Sequence, residues 1–199
     1  IDLQFMDVVG AVTGKFLPTG NLRDQFDGID VTCMDVAMPI VIARADSFGL
    51  TGYETVAELE SNRAFFDRFE AIRKEAGVAM GMGDVSQSVT PKFAILAPAE
   101  AGGTIAARYF MPWQTHPTMA VTGAQCLASC AMTPGSIADG LLDRPTTSPA
   151  TVTIEHASGS IDVVVDYDSS DGGFSLKSAG LVRTARKLAA GYVFLQSDG

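Results

Sequence analysis

Gln114-Thr115-His116-Pro117-Thr118 leads into Met119-Ala120-Val121-Thr122-Gly123-Ala124-Gln125-Cys126-Leu127-Ala128-Ser129-Cys130-Ala131-Met132, a run without one charged side chain. Small and apolar residues fill nearly every position, so a helix built from it has no wettable side and must be surrounded by protein. Its few polar residues, Thr122, Gln125 and Ser129, are spaced three and four apart and share one helical face. Pro117 suits a first helical turn, with Thr115, His116 or Thr118 as the cap. Free N–H groups and the helix dipole at such an end favour a carboxylate or phosphate. Two readings fit these residues alone: an anion site, or a structural helix capped by its own threonine beside a satisfied histidine.

The sequence on either side is rich in strand signals. Residues 1–6 alternate as a strand, followed by a Gly/Thr/Pro-rich loop from Gly10 to Gly20. Ile29–Asp35 and Pro39–Ala45 read as strands around Met38-Pro39, with Pro39 opening the second, where its missing N–H does least harm. Lys92–Ala97 and Thr104–Met111 follow, and the tail adds Thr151–Glu155, Ser160–Val165, Phe174–Leu181 and Tyr192–Leu195. Ser158-Gly159 and Gly172-Gly173 supply hairpin turns. Thr55-Val56-Ala57-Glu58 matches a capping box at the head of a long helical region. Within that region Phe65, Phe69, Ile72 and Ala76 form one apolar stripe, while Arg63, Asp67, Arg68, Glu70, Arg73 and Lys74 cover the solvated side up to about Gly77. A short helix is expected near Ser136–Leu142, then a loop from Arg144 to Ala150. Many strands, one amphipathic outer helix and one wholly apolar helix predict an α+β architecture: a curled mixed sheet wrapped around a central helix, not βαβ repetition.

With 199 residues, 47% of them hydrophobic and 19% charged, the chain can bury a large core as a globular domain. A net charge of −9 without a basic run argues against nucleic acid as a partner. No apolar stretch reaches the roughly 18–20 residues of a membrane span, and no signal peptide is visible. Cys33, Cys126 and Cys130 form neither a disulfide framework nor a zinc motif, which fits a reduced, cytoplasmic compartment. Cys126 and Cys130 read as small buried thiols. The chain opens in a strand and without Met, so it is expected to begin inside something larger, the alternative being a processed terminus.

Few residues can carry chemistry. His116 could orient a carboxylate or transfer a proton near neutral pH. His156, in Glu155-His156-Ala157-Ser158-Gly159, reads as a hairpin residue, and no acid stands at ligand spacing from either histidine, so no metal site is expected. Gly81-Met82-Gly83-Asp84 lacks the GxGxxG and GK[ST] patterns of a phosphate loop. Arg183-Thr184-Ala185-Arg186-Lys187 could meet acidic groups or simply face solvent. No nucleophilic serine set is present.

Several blocks recur in a family order: Gly14-Lys15-Phe16-Leu17-Pro18-Thr19-Gly20-Asn21, Asp35 to Pro39, Phe48-Gly49-Leu50-Thr51-Gly52-Tyr53-Glu54, and Met82-Gly83-Asp84-Val85. They continue with Val89-Thr90-Pro91-Lys92, His116 to Ala124, Pro134-Gly135-Ser136, His156-Ala157-Ser158-Gly159, and Gly180 through Leu188. In this order they resemble the C-terminal half of the PrpF family, the methylaconitate isomerases and 4-oxalomesaconate tautomerases of the diaminopimelate-epimerase-like fold.

The resemblance implies one domain over residues 1–199, the second of a two-domain isomerase, with the last strands (about 180–199) packing toward the N-terminal domain. It implies cofactor-independent proton transfer that shifts a double bond in a small unsaturated di- or tricarboxylic acid. The substrate-binding residues implied are His116, Thr118, Met119, Thr19 and Gly20. The proton-transfer lysine and helix-start cysteine are expected in the N-terminal half, so no catalytic residue is assigned here and the chain alone is expected to be inactive. Expected partners are the small carboxylate and the N-terminal half of the same protein, with a homodimer left open. Two alternatives stand beside this reading: a non-catalytic binding module of the same fold, and an epimerase or racemase, against which the lack of a second helix-start cysteine argues.

Overall fold

The computed structural model describes residues 2–170, 174–182, 186 and 188–192. Strand β1 (Asp2–Phe5) precedes the Gly10–Gly20 loop. A short β2 (Asp24–Phe26) follows the loop, and β3 (Ile29–Val36) and β4 (Met38–Arg44) then make an antiparallel hairpin. Its turn is at Ala37, whose backbone is left-handed with φ 58°. Asp35 organises the loop before it: Oδ2 accepts from Val12 N (2.9 Å), Thr13 N (2.6 Å) and Thr13 Oγ1 (2.9 Å).

The capping box forms. Thr55 Oγ1 accepts from Glu58 N, and Glu58 Oε2 accepts from Thr55 N, at the head of α1 (Val56–Ser61). The helical region is broken at Asn62, however, because its side chain accepts from Phe65 N and so starts a second helix, α2 (Arg63–Ala79). Phe65, Phe69, Ile72 and Ala76 are buried as the stripe predicts. Arg73 corrects the expectation of a solvated side chain, being 0% exposed. It reaches across to the loop after α2, donating to Val85 O (3.0 Å) and Pro91 O (3.2 Å) while paired with Glu70 (2.6 Å). Loop carbonyls with no strand partner thus receive a charged donor, and the carboxylate of Glu70 neutralises it.

Strands β5 (Lys92–Ala97), β6 (Ile105–Met111), the two-residue β7 (Gln114–Thr115), β8 (Ala150–His156), β9 (Gly159–Asp168) and β10 (Ser175–Val182) complete one mixed sheet. Among the described residues the order is β1-β10-β9-β8-β6-β5-β4-β3-β2, with β7 on β6. The pairs β4–β5 and β6–β8 are parallel and the others antiparallel. Alternation along β3 to β6 serves two cores. Val31, Cys33, Val41, Phe93, Ile95 and Phe110 meet the α2 phenylalanines on one face. Met34, Ile40, Ile42, Leu96 and Tyr109 meet helix α3 (Val121–Met132) on the other.

Helix α3 is buried from Gly123 to Met132 and touches β3, β4, β8, β9 and β10. Two of its three polar residues are satisfied internally, while Thr122 is half-buried: Gln125 Nε2 donates to Ala179 O (2.7 Å), and Ser129 Oγ donates to Gln125 O (2.8 Å). Arg144 donates to Ala131 O and Thr133 O at the helix C-terminus, where a cation also suits the dipole.

The helix expected near Ser136–Leu142 does not form, and that segment is a series of turns. Arg23 occupies the carbonyls of Gly135 and Ser136, the Ser136 hydroxyl donates to Cys130 O, and Gly140 is left-handed with φ 80°. The carbonyls a first helical turn would use are therefore already engaged. The Gly172-Gly173 turn, residues 193–195 of the expected last strand, and most of Arg183–Lys187 lie outside the described residues; Tyr192 is not in a strand.

Candidate functional site at the N-terminus of helix α3

The expectation that Pro117 opens the helix, capped by Thr115, His116 or Thr118, needs correction, because the helix starts later. Ala120 is the N-cap, its backbone extended (φ −69°, ψ 141°), and no side chain caps it. Ala124 N donates to Ala120 O, so the N–H groups of Val121, Thr122 and Gly123 come before the first intrahelical bond. Gln114 and Thr115 pair with β6 instead of leading into the helix. This leaves His116-Pro117-Thr118 as a turn at the helix mouth.

The turn is fixed at several atoms. His116 N donates to Tyr109 O (2.8 Å), and the imidazole meets the Tyr109 ring edge-on with centroids 5.9 Å apart. Thr118 N donates to His116 Nδ1 (3.1 Å). A ring nitrogen that accepts carries no proton, so neutral His116 keeps its proton on Nε2, available as a donor. Thr118 is exposed and His116 half-buried, while Met119 is only 6% exposed and belongs to the core beneath the turn. Gly123 lets the first helical turn approach Tyr109 closely: a Cβ there would meet Tyr109 Cε2 at 2.6 Å.

The β8–β9 hairpin supplies the neighbouring wall. Ser158 N donates to His156 Nδ1 (3.3 Å), and Ser158 Oγ donates to Pro117 O (2.6 Å). Burial holds the His156 pKa below its ordinary 6.5, with the Arg108 charge adding to the effect. Beside it a cleft of about 360 Å³ is lined by Tyr53, Gly103, Glu155, His156 and Ser160. Burial would raise Glu155, but hydrogen bonds from Tyr53 and from Gly103, Glu100 and Ala101 N–H outweigh it and keep the carboxyl below 4.5. Tyr53 is pushed up to about 12 by burial and that same hydrogen bond. Nothing in the sequence flagged Glu155, since its partners are backbone groups more than fifty residues away in the chain.

Thr19 and Gly20 stand elsewhere. Thr19 Oγ1 donates to Asp24 Oδ2 (2.7 Å), and the neighbouring Leu22 and Arg23 contact Gly135, beyond the C-terminus of α3. The structure therefore groups His116 with Thr118, stacks Met119 beneath them, and sets Thr19-Gly20 toward the other end of the helix. A larger cavity, about 560 Å³, lies between the Gly10–Gly20 loop and the end of α2, and its lining includes none of residues 116–120.

The three thiols are buried and free. Burial pushes all three pKa values up, that of Cys130 to about 12, so none is a ready thiolate. Among the described residues, no group of three His, Cys, Asp or Glu side chains could hold a metal. Among them also, no helix is long and apolar enough to cross a membrane.

The chain matches the PrpF protein family over residues 1–196. It belongs to the PrpF family. Similar PrpF relatives include the putative isomerase YbhH of Escherichia coli (strain K12), 42% identical across 98% of this chain and 55% of that protein. The 4-oxalomesaconate tautomerase of Pseudomonas putida is 40% identical across 98% of this chain and 53% of its own length. The crystal structure of a methylitaconate-delta-isomerase superposes with a TM-score of 0.84 at 32% identity, over 96% of this chain and 54% of that one. The chain thus spans about half the length of the PrpF proteins it matches, and its mixed α+β fold is that of the methylitaconate isomerase over the shared part.

Proposed function

We propose that the chain is the second half of a cofactor-independent isomerase that moves a double bond within a small unsaturated di- or tricarboxylic acid, and that its share of the work is to bind a carboxylate at the mouth of α3. The observation that carries this reading is the uncapped first turn of α3 with the His116 donor beside it. Unpaired N–H groups, the positive end of the helix dipole and an Nε2–H donor together suit an anion. Relatives named for oxalomesaconate, methylitaconate and methylaconitate isomerisation supply the substrate class.

In this chemistry a base removes a proton from carbon adjacent to the activated double bond. The electron pair spreads over the allylic system and onto carboxylate or keto oxygens, and the proton returns at the far carbon. Donors already aligned on those oxygens stabilise the charge as it develops. No thiol of this chain is placed for proton transfer, so the base and acid are assigned to the other half, and this chain alone turns over nothing. That α3 touches both β10 and β3, far apart in the sheet order, supports a sheet curled around it in the diaminopimelate-epimerase manner. The β1–β10 side, where Phe5 and Met6 are exposed, is the edge assigned to pack toward the other half. A racemase is disfavoured because Ala120 and Val121 occupy the helix start where a second cysteine would stand.

The test uses the full-length protein with 4-oxalomesaconate and methylitaconate, followed by ultraviolet absorbance and proton NMR. One of them is converted, and His116→Ala raises KM about tenfold or more, the scale of one lost charge-assisted hydrogen bond. If both substrates persist unchanged, the isomerase reading is wrong.

A further inference from the structure

Ser158 is exposed at the tip of the β8–β9 hairpin, yet its hydroxyl makes a 2.6 Å hydrogen bond to Pro117 O. Among the described residues this is the one side-chain hydrogen bond that ties the hairpin to residues 112–120. Its acceptor is significant. Pro117 C=O and Thr118 N–H belong to the same planar peptide unit, pointing to opposite sides, so fixing one fixes the other. Thr118 N–H is the group that donates to His116 Nδ1 (3.1 Å). A hydroxyl on one side of that peptide thus holds the N–H that makes Nδ1 an acceptor on the other, where Thr118 Oγ1 also lies 3.4 Å from Nδ1. The hairpin is itself held in the same manner, since Ser158 N donates to His156 Nδ1 (3.3 Å).

We propose that Ser158 is a positioning residue for His116: by orienting the Pro117–Thr118 peptide it keeps Nδ1 an acceptor and Nε2 a donor aimed at the carboxylate. This rests on the carboxylate-binding reading of the α3 mouth. With the hydroxyl removed, the peptide is free to turn, its N–H leaves Nδ1, and both neutral tautomers of His116 become populated. The ring stays in place against Tyr109, because the His116 N–Tyr109 O bond does not involve Ser158.

The experiment compares wild type, Ser158→Ala and Ser158→Thr, with His116→Ala alongside. Long-range proton–nitrogen NMR of the full-length isomerase reads the tautomer, and its steady-state kinetics on whichever of 4-oxalomesaconate and methylitaconate it converts reads the consequence. Wild type shows Nδ1 unprotonated and Nε2 protonated. Ser158→Ala shows averaged nitrogen shifts and a KM raised about two- to tenfold, the range that one neutral hydrogen bond supports. Its kcat changes little, because a loss of uniform binding appears in KM. Ser158→Thr restores both readouts. An unchanged tautomer and KM in Ser158→Ala overturns the proposal, as does Ser158→Thr behaving like alanine. A fall in kcat together with a lowered melting temperature in Ser158→Ala also overturns it, since that marks a general structural role. If His116→Ala itself leaves KM unchanged, the carboxylate-binding reading fails instead, whatever Ser158 does to the tautomer.

Discussion

Gly123→Ala is a sharp test of how α3 and the His116 turn are coupled. In an exposed helix this change stabilises by about 1 kcal/mol, because alanine loses less backbone freedom on folding. Here the added methyl would lie 2.6 Å from Tyr109 Cε2, 3.0 Å from Cζ and 3.1 Å from Cδ2. Carbon atoms rest at about 3.5–4.0 Å, so the ring must retreat by several tenths of an ångström or more. Tyr109 is 2% exposed and has His116 against its ring, so there is no open space to receive it. Overpacking of this kind costs about 1–3 kcal/mol. Set against the helix-propensity gain, the expected outcome is a net loss of up to about 2 kcal/mol, with urea unfolding as the assay. For a chain of this size each kcal/mol lowers the melting temperature by about 2–4 °C. In a Tyr109→Leu background the ring is gone, and Gly123→Ala is expected to become neutral or stabilising. The reasoning is refuted if Gly123→Ala in the wild-type background gains about 1 kcal/mol and leaves the His116 ring signals in place.

Arg73→Met leaves Glu70 only Lys74 at 3.5 Å and strands the Val85 and Pro91 carbonyls, so a loss of about 2–4 kcal/mol is expected from the urea midpoint; a change under about 1 kcal/mol would mean the network is incidental. Glu155→Gln tests acid sensitivity. Because the Glu155 carboxyl lies below 4.5 in the folded protein, its stabilisation is present above that value and is lost as pH falls through the folded one. Urea midpoints taken from about pH 6 down to pH 3 should therefore fall less steeply in the Gln variant than in wild type. Thr55→Ala removes the capping box and should cost about 1 kcal/mol, whereas Thr55→Ser should retain most of it; equal losses in the two variants would contradict the capping account.

The strands and the two long helices were legible because they depend on local pattern. Phe65, Phe69, Ile72 and Ala76 announce one buried stripe, and the charge-free run after Met119 announces a helix with no outer face. Features that depend on distant partners were not legible. Arg73 looks like any helix-surface cation until the Val85 and Pro91 carbonyls are brought to it. Ser136–Leu142 has helical composition, but Arg23, more than a hundred residues earlier, claims its first carbonyls. The start of α3 slipped from Pro117 to Val121 for a similar reason, since Gln114 and Thr115 find a strand partner in β6. His116 and Thr118 could be chosen from residue chemistry and resemblance. Their link to Ser158 could not, because it joins two turns that only the parallel β6–β8 pairing sets side by side.

The pairing of β1 with β10 sets a long-range closure that folding of this sheet must complete. Phe5 lies opposite Ala179 and Asp2 opposite Val182, so this edge of the sheet joins strands more than 170 residues apart in the sequence. Closing a loop of about 170 residues carries an entropic cost on the order of 4–5 kcal/mol beyond the constant term. Until that closure, β10 has an open edge, and β1 has no ladder to join. Gln125, through its bond to Ala179 O, ties α3 to β10 independently of the β1 pairing. The buried helix is thus also a platform for β10, the strand on which β1 must dock.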